Sequence, residues 1–166
     1  EEEYARLAEN VRAICRQYSV RCIYHTYPEA SRAAGVKEIH LPLPVLRQYA
    51  GEADLQPADP RRPDVPGGAG TPLSFFTAVG TSVHSMAEAE EALRLGATYL
   101  TAGHIYSTDC KKGVPPRGLS FLEKICRMSP VPVYAIGGIH LGTGQLTEVL
   151  SCGAAGGCIM SEMMRI

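Results

Sequence analysis

The stretch Tyr99–Gly113, YLTAGHIYSTDCKKG, decides how the rest of the chain is interpreted. It begins as a short apolar run that predicts a strand, and it ends in a polar loop with a histidine, hydroxyls and a thiol. Lysine occurs at only four positions of the chain, and two of them, Lys111 and Lys112, are adjacent here. A lysine pair beside a strand end predicts an anion contact, with two solvated loop residues as the alternative.

The composition predicts one globular domain that binds neither nucleic acid nor membrane. The chain has 166 residues, 45% of them hydrophobic and 20% charged, and a net charge of −1. No basic run exceeds two residues, and no apolar run approaches the roughly 20 residues of a membrane helix. The six cysteines lack CxxC spacing, so reduced thiols in a cytoplasmic protein are expected, without a metal site.

Short apolar strands alternate with amphipathic helices on both sides of the opening stretch. Strands are predicted at 21–27, 38–42, 75–83, 99–106, 131–138 and 156–161. Helices are predicted at 1–18, 28–35, 44–50, from 85 onward, 119–128 and 144–152. The segment Ser85–Glu88 has the pattern of a capping box. The proline- and glycine-rich segment 51–72 predicts a surface insertion.

This alternation predicts the fold class. Near-continuous apolar strands followed by helices indicate a parallel α/β sheet. Six such units without GxGxxG predict a single TIM (β/α)8-type barrel domain over residues 1–166, with the doubly wound open sheet as the alternative. A full barrel needs about 200 residues or more, so two strands would be missing and the chain is expected to be a fragment. The exposed sheet edges would then favour a homo-oligomer.

Candidate site residues follow the predicted strands, because barrel active sites lie at the carboxyl ends of the strands. Gly137 and Gly138 end one strand and Ser161 ends the next, a pattern that predicts phosphate binding by backbone N–H groups, with glycines needed only for a tight turn between strand and helix as the alternative. His104 could take and return a proton, with a hydrogen-bonded structural residue as the alternative. Ser82 suits a hydrogen bond to substrate or a helix cap.

The other chemically active side chains have a weaker pattern. Cys110 is interpreted as a binding or packing residue, because no neighbour other than the lysines would lower the pKa of its thiol. The remaining histidines are interpreted as structural or solvent-facing; they are His25, His40, His84 and His140.

Several segments together resemble the thiamine phosphate synthase/TenI superfamily. They are VGTSVHSMAEAEEA at 79–92, GATYL at 96–100, GHIYSTDCKKG at 103–113, RGL at 117–119 and AIGGI at 135–139. The resemblance implies a barrel whose first two strands and last helix are absent here. The synthase of this superfamily joins a pyrimidine pyrophosphate to a thiazole phosphate with Mg²⁺, using an Asn-Asp pair and a further Asp. This chain has His25-Thr26 and PLPV at 42–45 in those places, without the carboxylates that Mg²⁺ prefers.

The stretch at 103–113 is more similar to the thiazole tautomerase, or TenI, type of the superfamily. The resemblance implies an isomerase that aromatises a small-molecule carboxythiazole phosphate by proton transfer at His104, with no cofactor. Substrate would be held by Lys111 with Ser82 and Cys110, and phosphate by Gly137, Gly138 and Ser161. The alternatives are the synthase itself and a non-catalytic, regulatory phosphate-binding protein.

Overall fold

A computed structural model describes residues 2–51 and 72–163. The described residues fall into two compact units. Unit 1 contains the described residues up to Thr81 together with Arg94–Ala97, and unit 2 contains Ser82–Leu93 and the described residues from Thr98 onward. The predicted insertion lies almost entirely outside the described residues, and the prediction of one domain over 1–166 stays a prediction.

Helices and strands alternate along the described chain, as predicted. The helices are α1 Glu2–Gln17, α2 Pro28–Ala33, α3 Leu43–Ala50, α4 Met86–Arg94, α5 Gly118–Met128 and α6 Gln145–Ser151. The strands are β1 Tyr24–His25, β2 Glu38–Leu41, β3 Ala78–Val83, β4 Tyr99–Gly103, β5 Val133–Ile136 and β6 Gly156–Cys158. Two 3₁₀ turns, Pro72–Phe75 and Asp109–Lys111, complete the described elements.

Strand order follows chain order within each unit. In unit 1, β1 pairs with β2 and β2 with β3, both parallel, so that Tyr24, Ile39 and Val79 occupy one row. In unit 2, β4 pairs with β5 and β5 with β6, again parallel. The parallel α/β class is therefore confirmed, whereas a complete barrel with missing elements stays a prediction.

Several strands are shorter than predicted. The strand predicted at 21–27 is reduced to Tyr24–His25, because Thr26 has a positive φ of 68° and Pro28 begins α2. The strand predicted from residue 75 begins at Ala78, because Pro72–Phe75 forms a 3₁₀ turn. Strands β4 and β6 end at Gly103 and Cys158, before the predicted ends at 106 and 161.

Each unit has its own set of buried apolar side chains. Their burial accounts for the spacing of apolar residues along the predicted helices and strands. In unit 1 the largest fully buried side chains are Phe76, Ile39, Leu41, Leu46, Leu73 and Val79. In unit 2 they are Leu100, Ile105, Leu122, Ile125, Val83 and Val149. Among the described residues, no helix is long and apolar enough to cross a membrane.

The start of α4 confirms the predicted cap, with one change. The Glu88 N–H donates to the Ser85 Oγ at 3.1 Å, as in a capping box. The Glu88 carboxylate accepts its hydrogen bond from the N–H of His84, at 2.6 Å, rather than from that of Ser85. The His84 ring also reaches β4, with Nδ1 lying 2.7 Å from the Gly103 carbonyl oxygen. His84 is therefore a structural link, as predicted.

Candidate functional site

The exits of β4 and β5 form the centre of the candidate site in unit 2. Backbone pairing continues past the ends of both strands: the Ile105 N–H donates to the Ile136 carbonyl at 2.9 Å. The Tyr106 N–H then donates to the Gly137 carbonyl at 3.0 Å. This continued pairing brings the predicted phosphate turn against the segment that begins at His104.

Both residues of the pair must be glycine, because neither position has room for a Cβ atom. Gly137 has a φ of 96°, and a Cβ there would lie 2.8 Å from the His104 Cα. Gly138 has a φ of 68°, and a Cβ there would lie 2.7 Å from the Tyr106 carbonyl oxygen. A side chain at either position would displace backbone, so the turn is held bare of side chains. Packing against the segment after β4 therefore accounts for both glycines, and a turn without side chains is also the kind of turn that binds phosphate through backbone N–H groups.

His104 lies inside unit 2 rather than on its surface. It is only 5% exposed, and its Nε2 lies 3.2 Å from the Val114 carbonyl oxygen. The Gly103–His104 peptide is cis. The imidazole thus has a backbone partner, and the Cβ and backbone of His104 lie against Gly137, an arrangement that fits the structural alternative named for this residue.

The loop after β4 is closed at its base beside His104. The Arg117 N–H donates to the His104 carbonyl at 2.9 Å, and the Gly118 N–H donates to the Ile105 carbonyl at 3.2 Å. Cys110 and Lys111 lie far out on this loop, in the exposed 3₁₀ turn. The structure therefore places these two predicted substrate residues on the same loop as His104, but in solvent.

The two remaining predicted residues lie apart from that loop. Ser82 is half-buried at the end of β3, and its Oγ shares a hydrogen bond of 2.8 Å with the Thr101 Oγ1. Ser161 lies beyond the end of β6 and is exposed. The structure brings Gly137 against His104, and Gly138 against the segment that follows His104.

Two carboxylates that were not predicted from the sequence bond to the segments of the candidate site. The Tyr106 hydroxyl donates to Glu148 of α6 at 2.5 Å. Burial and then this carboxylate raise the pKa of Tyr106 to about 12. Glu162, which follows Ser161, bonds to the turn after β5. Neither carboxylate has a sequence signal, because each partner is distant in the chain.

Unit 1 has a second group of polar residues at the exits of β1 and β2. His25 and His40 are register partners, and their rings stack with centroids 5.2 Å apart and planes 24° apart. The Thr26 hydroxyl contacts the His25 Nδ1. Burial, and secondarily His25, lowers the pKa of His40 from 6.5 to about 4, and burial also lowers the pKa of His25. Both imidazoles are neutral at pH 7.

These residues do not fit Mg²⁺, the ion that the family resemblance implies at the strand ends of unit 1. His25, Thr26 and His40 lie there, and PLPV follows β2 at 42–45; none of these residues carries a carboxylate. Mg²⁺ prefers carboxylate, phosphate and water oxygens. Across residues 2–51 and 72–163, no group of three or more His, Cys, Asp or Glu side chains is placed to hold a metal ion.

Stability is expected to fall with acidification because of His40. A lowered folded-state pKa means that the neutral ring stabilises the fold fully above pH 6.5, and that this contribution is lost as the pH falls towards 4. The loss amounts to up to about 3 kcal/mol. In His40→Gln the drop in free energy of unfolding between pH 7.5 and pH 4.5 should be smaller than in the wild type, as measured by urea denaturation. Equal drops in the two proteins would contradict the assignment.

The fold and the site define a class: parallel α/β proteins with a glycine turn at a strand exit. The profile of the TMP-TENI family, described as thiamine monophosphate synthase, matches residues 71–163. The chain belongs to this thiamine monophosphate synthase family.

Individual relatives agree with the family. The thiamine-phosphate synthase of Thermus thermophilus is 33% identical over 150 residues, which cover 89% of this chain and 62% of the relative. That of Pyrococcus horikoshii is 42% identical over 86 residues, covering 52% of this chain and 41% of the relative. A solved thiamine phosphate pyrophosphorylase from Pyrococcus furiosus matches with a TM-score of 0.68 and 26% identity, over 99% of this chain and 69% of that one. The chain thus spans about three fifths of the length of the Thermus synthase.

The comparisons correct the predicted activity. The thiazole tautomerase interpretation is wrong, because relatives from Thermus, Synechocystis and Chlorobium are all thiamine-phosphate synthases, which are transferases. The interpretation gave most weight to one residue, His104. In the structure that residue is buried against Gly137 and bonded to a backbone carbonyl, so its position does not require a role in proton transfer.

Proposed function

We propose that the chain acts in thiamine-phosphate synthesis, the joining of a pyrimidine pyrophosphate to a thiazole phosphate. The observation that carries the proposal is the bare glycine turn after β5, where Gly137 and Gly138 leave no room for side chains beside His104 and Tyr106. In this proposal the turn and the β6 exit at Ser161 bind the thiazole phosphate through backbone N–H groups and a hydroxyl. The named synthase relatives support the same reaction.

The loop after β4 supplies the charge that such substrates need. Between His104 and Gly118 it carries three cationic side chains and one anionic side chain; these are Lys111, Lys112, Arg117 and Asp109. Lys112 lies 3.9 Å from Asp109, and Lys111 is exposed on the same 3₁₀ turn. Excess positive charge on a loop anchored at His104 would stabilise the charge of a departing pyrophosphate. In this proposal the lysine pair acts as an anion contact.

A second candidate function is binding of a thiazole phosphate without turnover. The observation that favours it is the pair of neutral imidazoles, without a carboxylate, at the exits of β1 and β2. A site with that composition does not attract the magnesium that the superfamily's coupling reaction uses. The phosphate turn in unit 2 is unaffected by this difference.

One assay separates the two candidates. The expressed chain is mixed with the pyrimidine pyrophosphate, the thiazole phosphate and Mg²⁺, and release of pyrophosphate and formation of thiamine phosphate are both followed. Synthesis predicts equal amounts of the two products, lost in Gly138→Ala and retained in Gly142→Ala. Calorimetric binding of the thiazole phosphate without any pyrophosphate release would contradict the synthase proposal and support binding alone.

A further inference from the structure

We infer that Glu162 is a positioning residue that holds the exit of β6 against the turn after β5. The inference rests on the proposed function, because it concerns the same phosphate site. It adds a residue that lies next to Ser161 in the chain and that acts through other groups rather than by touching the ligand. Its role is to keep Ser161 and Gly138 at the spacing that a single phosphate group requires.

Both oxygens of the Glu162 carboxylate bond to the turn after β5. Oε2 accepts a hydrogen bond from the Leu141 N–H at 2.7 Å, and Oε1 lies 2.9 Å from the His140 Nδ1. The side chain of Glu162 is 29% exposed, against 48% for that of His140. A carboxylate that uses both oxygens on one turn fixes orientation as well as distance.

The turn that receives Glu162 is itself held in place. The His140 N–H donates to the Gln145 Oε1 at 2.8 Å, which ties the turn to the first residue of α6. The Thr143 hydroxyl donates to the His140 carbonyl at 2.8 Å. On the other side of His140, Ile139 is 4% exposed and anchors the turn in the apolar interior of unit 2. Glu162 therefore bonds to a fixed element.

The hydrogen bonds of Glu162 to the turn after β5 lie close in the chain to both proposed phosphate ligands. Glu162 directly follows Ser161, and Gly138 lies two residues before His140. The tie therefore acts within two residues of both proposed phosphate ligands. Small displacements of binding groups are costly, because an error of about 1 Å in placement can remove much of a site's effect.

Charge repulsion by Glu162 would change the affinity for phosphate in the opposite direction, which makes the inference testable. A carboxylate near a phosphate site also repels the phosphate, so its removal would strengthen binding if repulsion were its main effect. A positioning role predicts that its removal weakens binding. The direction of the change therefore decides between the two.

The first experiment titrates inorganic phosphate into the wild type and Glu162→Ala, with binding followed by calorimetry. The variant is expected to bind roughly three- to tenfold more weakly, as suits the loss of charge-assisted hydrogen bonds in a partly exposed site. Glu162→Gln keeps an acceptor for Leu141 and should recover part of the affinity. The matched control is Glu123→Ala, which removes an equal charge from α5, where Glu123 pairs with Arg127 at 2.7 Å. Tighter binding by Glu162→Ala, or an equal loss in Glu123→Ala, would overturn the inference.

The second experiment tests, without any ligand, the hydrogen bond from the Leu141 N–H to Glu162. Hydrogen exchange of the Leu141 amide should be slow in the wild type and faster in Glu162→Ala, while the amides of β4 remain equally protected in both. Equal Leu141 exchange rates would refute the tie and leave the proposed function standing. Failure of the wild type to bind phosphate would refute the phosphate site, and the positioning role with it, even if Leu141 were protected.

Discussion

Gly138→Ala is expected to abolish phosphate binding and to lower the free energy of unfolding by about 2–4 kcal/mol. Two costs combine at this position. The φ of 68° is unfavourable for any residue with a Cβ, and the added carbon would lie 2.7 Å from the Tyr106 carbonyl oxygen. The backbone of the turn would have to move, and with it the N–H groups that are proposed to bind phosphate. Urea denaturation and phosphate titration measure the two effects separately.

The chain offers a matched control for this substitution. Gly142 has a φ of 72°, nearly the same as that of Gly138, but a Cβ there would have no neighbour within 4 Å. Gly142→Ala therefore carries the conformational cost alone, about 1 kcal/mol. If Gly142→Ala proved as damaging as Gly138→Ala, close packing against Tyr106 would not be the reason for the glycine.

His104→Ala is expected to lower the free energy of unfolding by about 2–3 kcal/mol. The substitution removes a side chain that is 5% exposed, together with its hydrogen bond of 3.2 Å to the Val114 carbonyl. Urea denaturation measures the loss.

The control for this prediction is Cys110→Ala, on the same loop. Cys110 is exposed, so its replacement should change the free energy of unfolding by less than about 0.5 kcal/mol. A His104→Ala protein with wild-type stability, but without synthase turnover, would show that the residue serves the reaction rather than the fold. Loss of stability and turnover together is the expected result.

The order of helices and strands could be predicted because burial imposes its period on the sequence. Apolar residues recur along Gly118–Met128, where Leu122 and Ile125 are buried, and near-continuous apolar runs mark β3 and β4. The strand ends could not be predicted, because they depend on contacts with distant residues. The N–H groups of Thr77 and Ala78 both point to the Lys37 carbonyl, and only from there does β3 begin. Local sequence carries no record of such a partner.

The candidate site was predicted only in part, for a similar reason. Gly137 and Gly138 were found because a glycine pair at a strand end is itself a signal of a bare turn. The hydrogen bonds from Tyr106 to Glu148 and from His140 to Glu162 join residues 42 and 22 positions apart, so no spacing rule reveals them. The activity was mistaken because the choice between two reactions of one superfamily rested on His104 and on the carboxylates that are absent after two earlier strands.

The link at His84 has a consequence for the motions of unit 2. Its N–H is held by Glu88 in the first turn of α4, and its ring is held by the Gly103 carbonyl at the end of β4. His84 therefore bonds both to the first turn of α4 and to the strand that leads into the site. We expect the amides at the helix start and at the strand end to show similar protection from hydrogen exchange, because one residue joins the two elements.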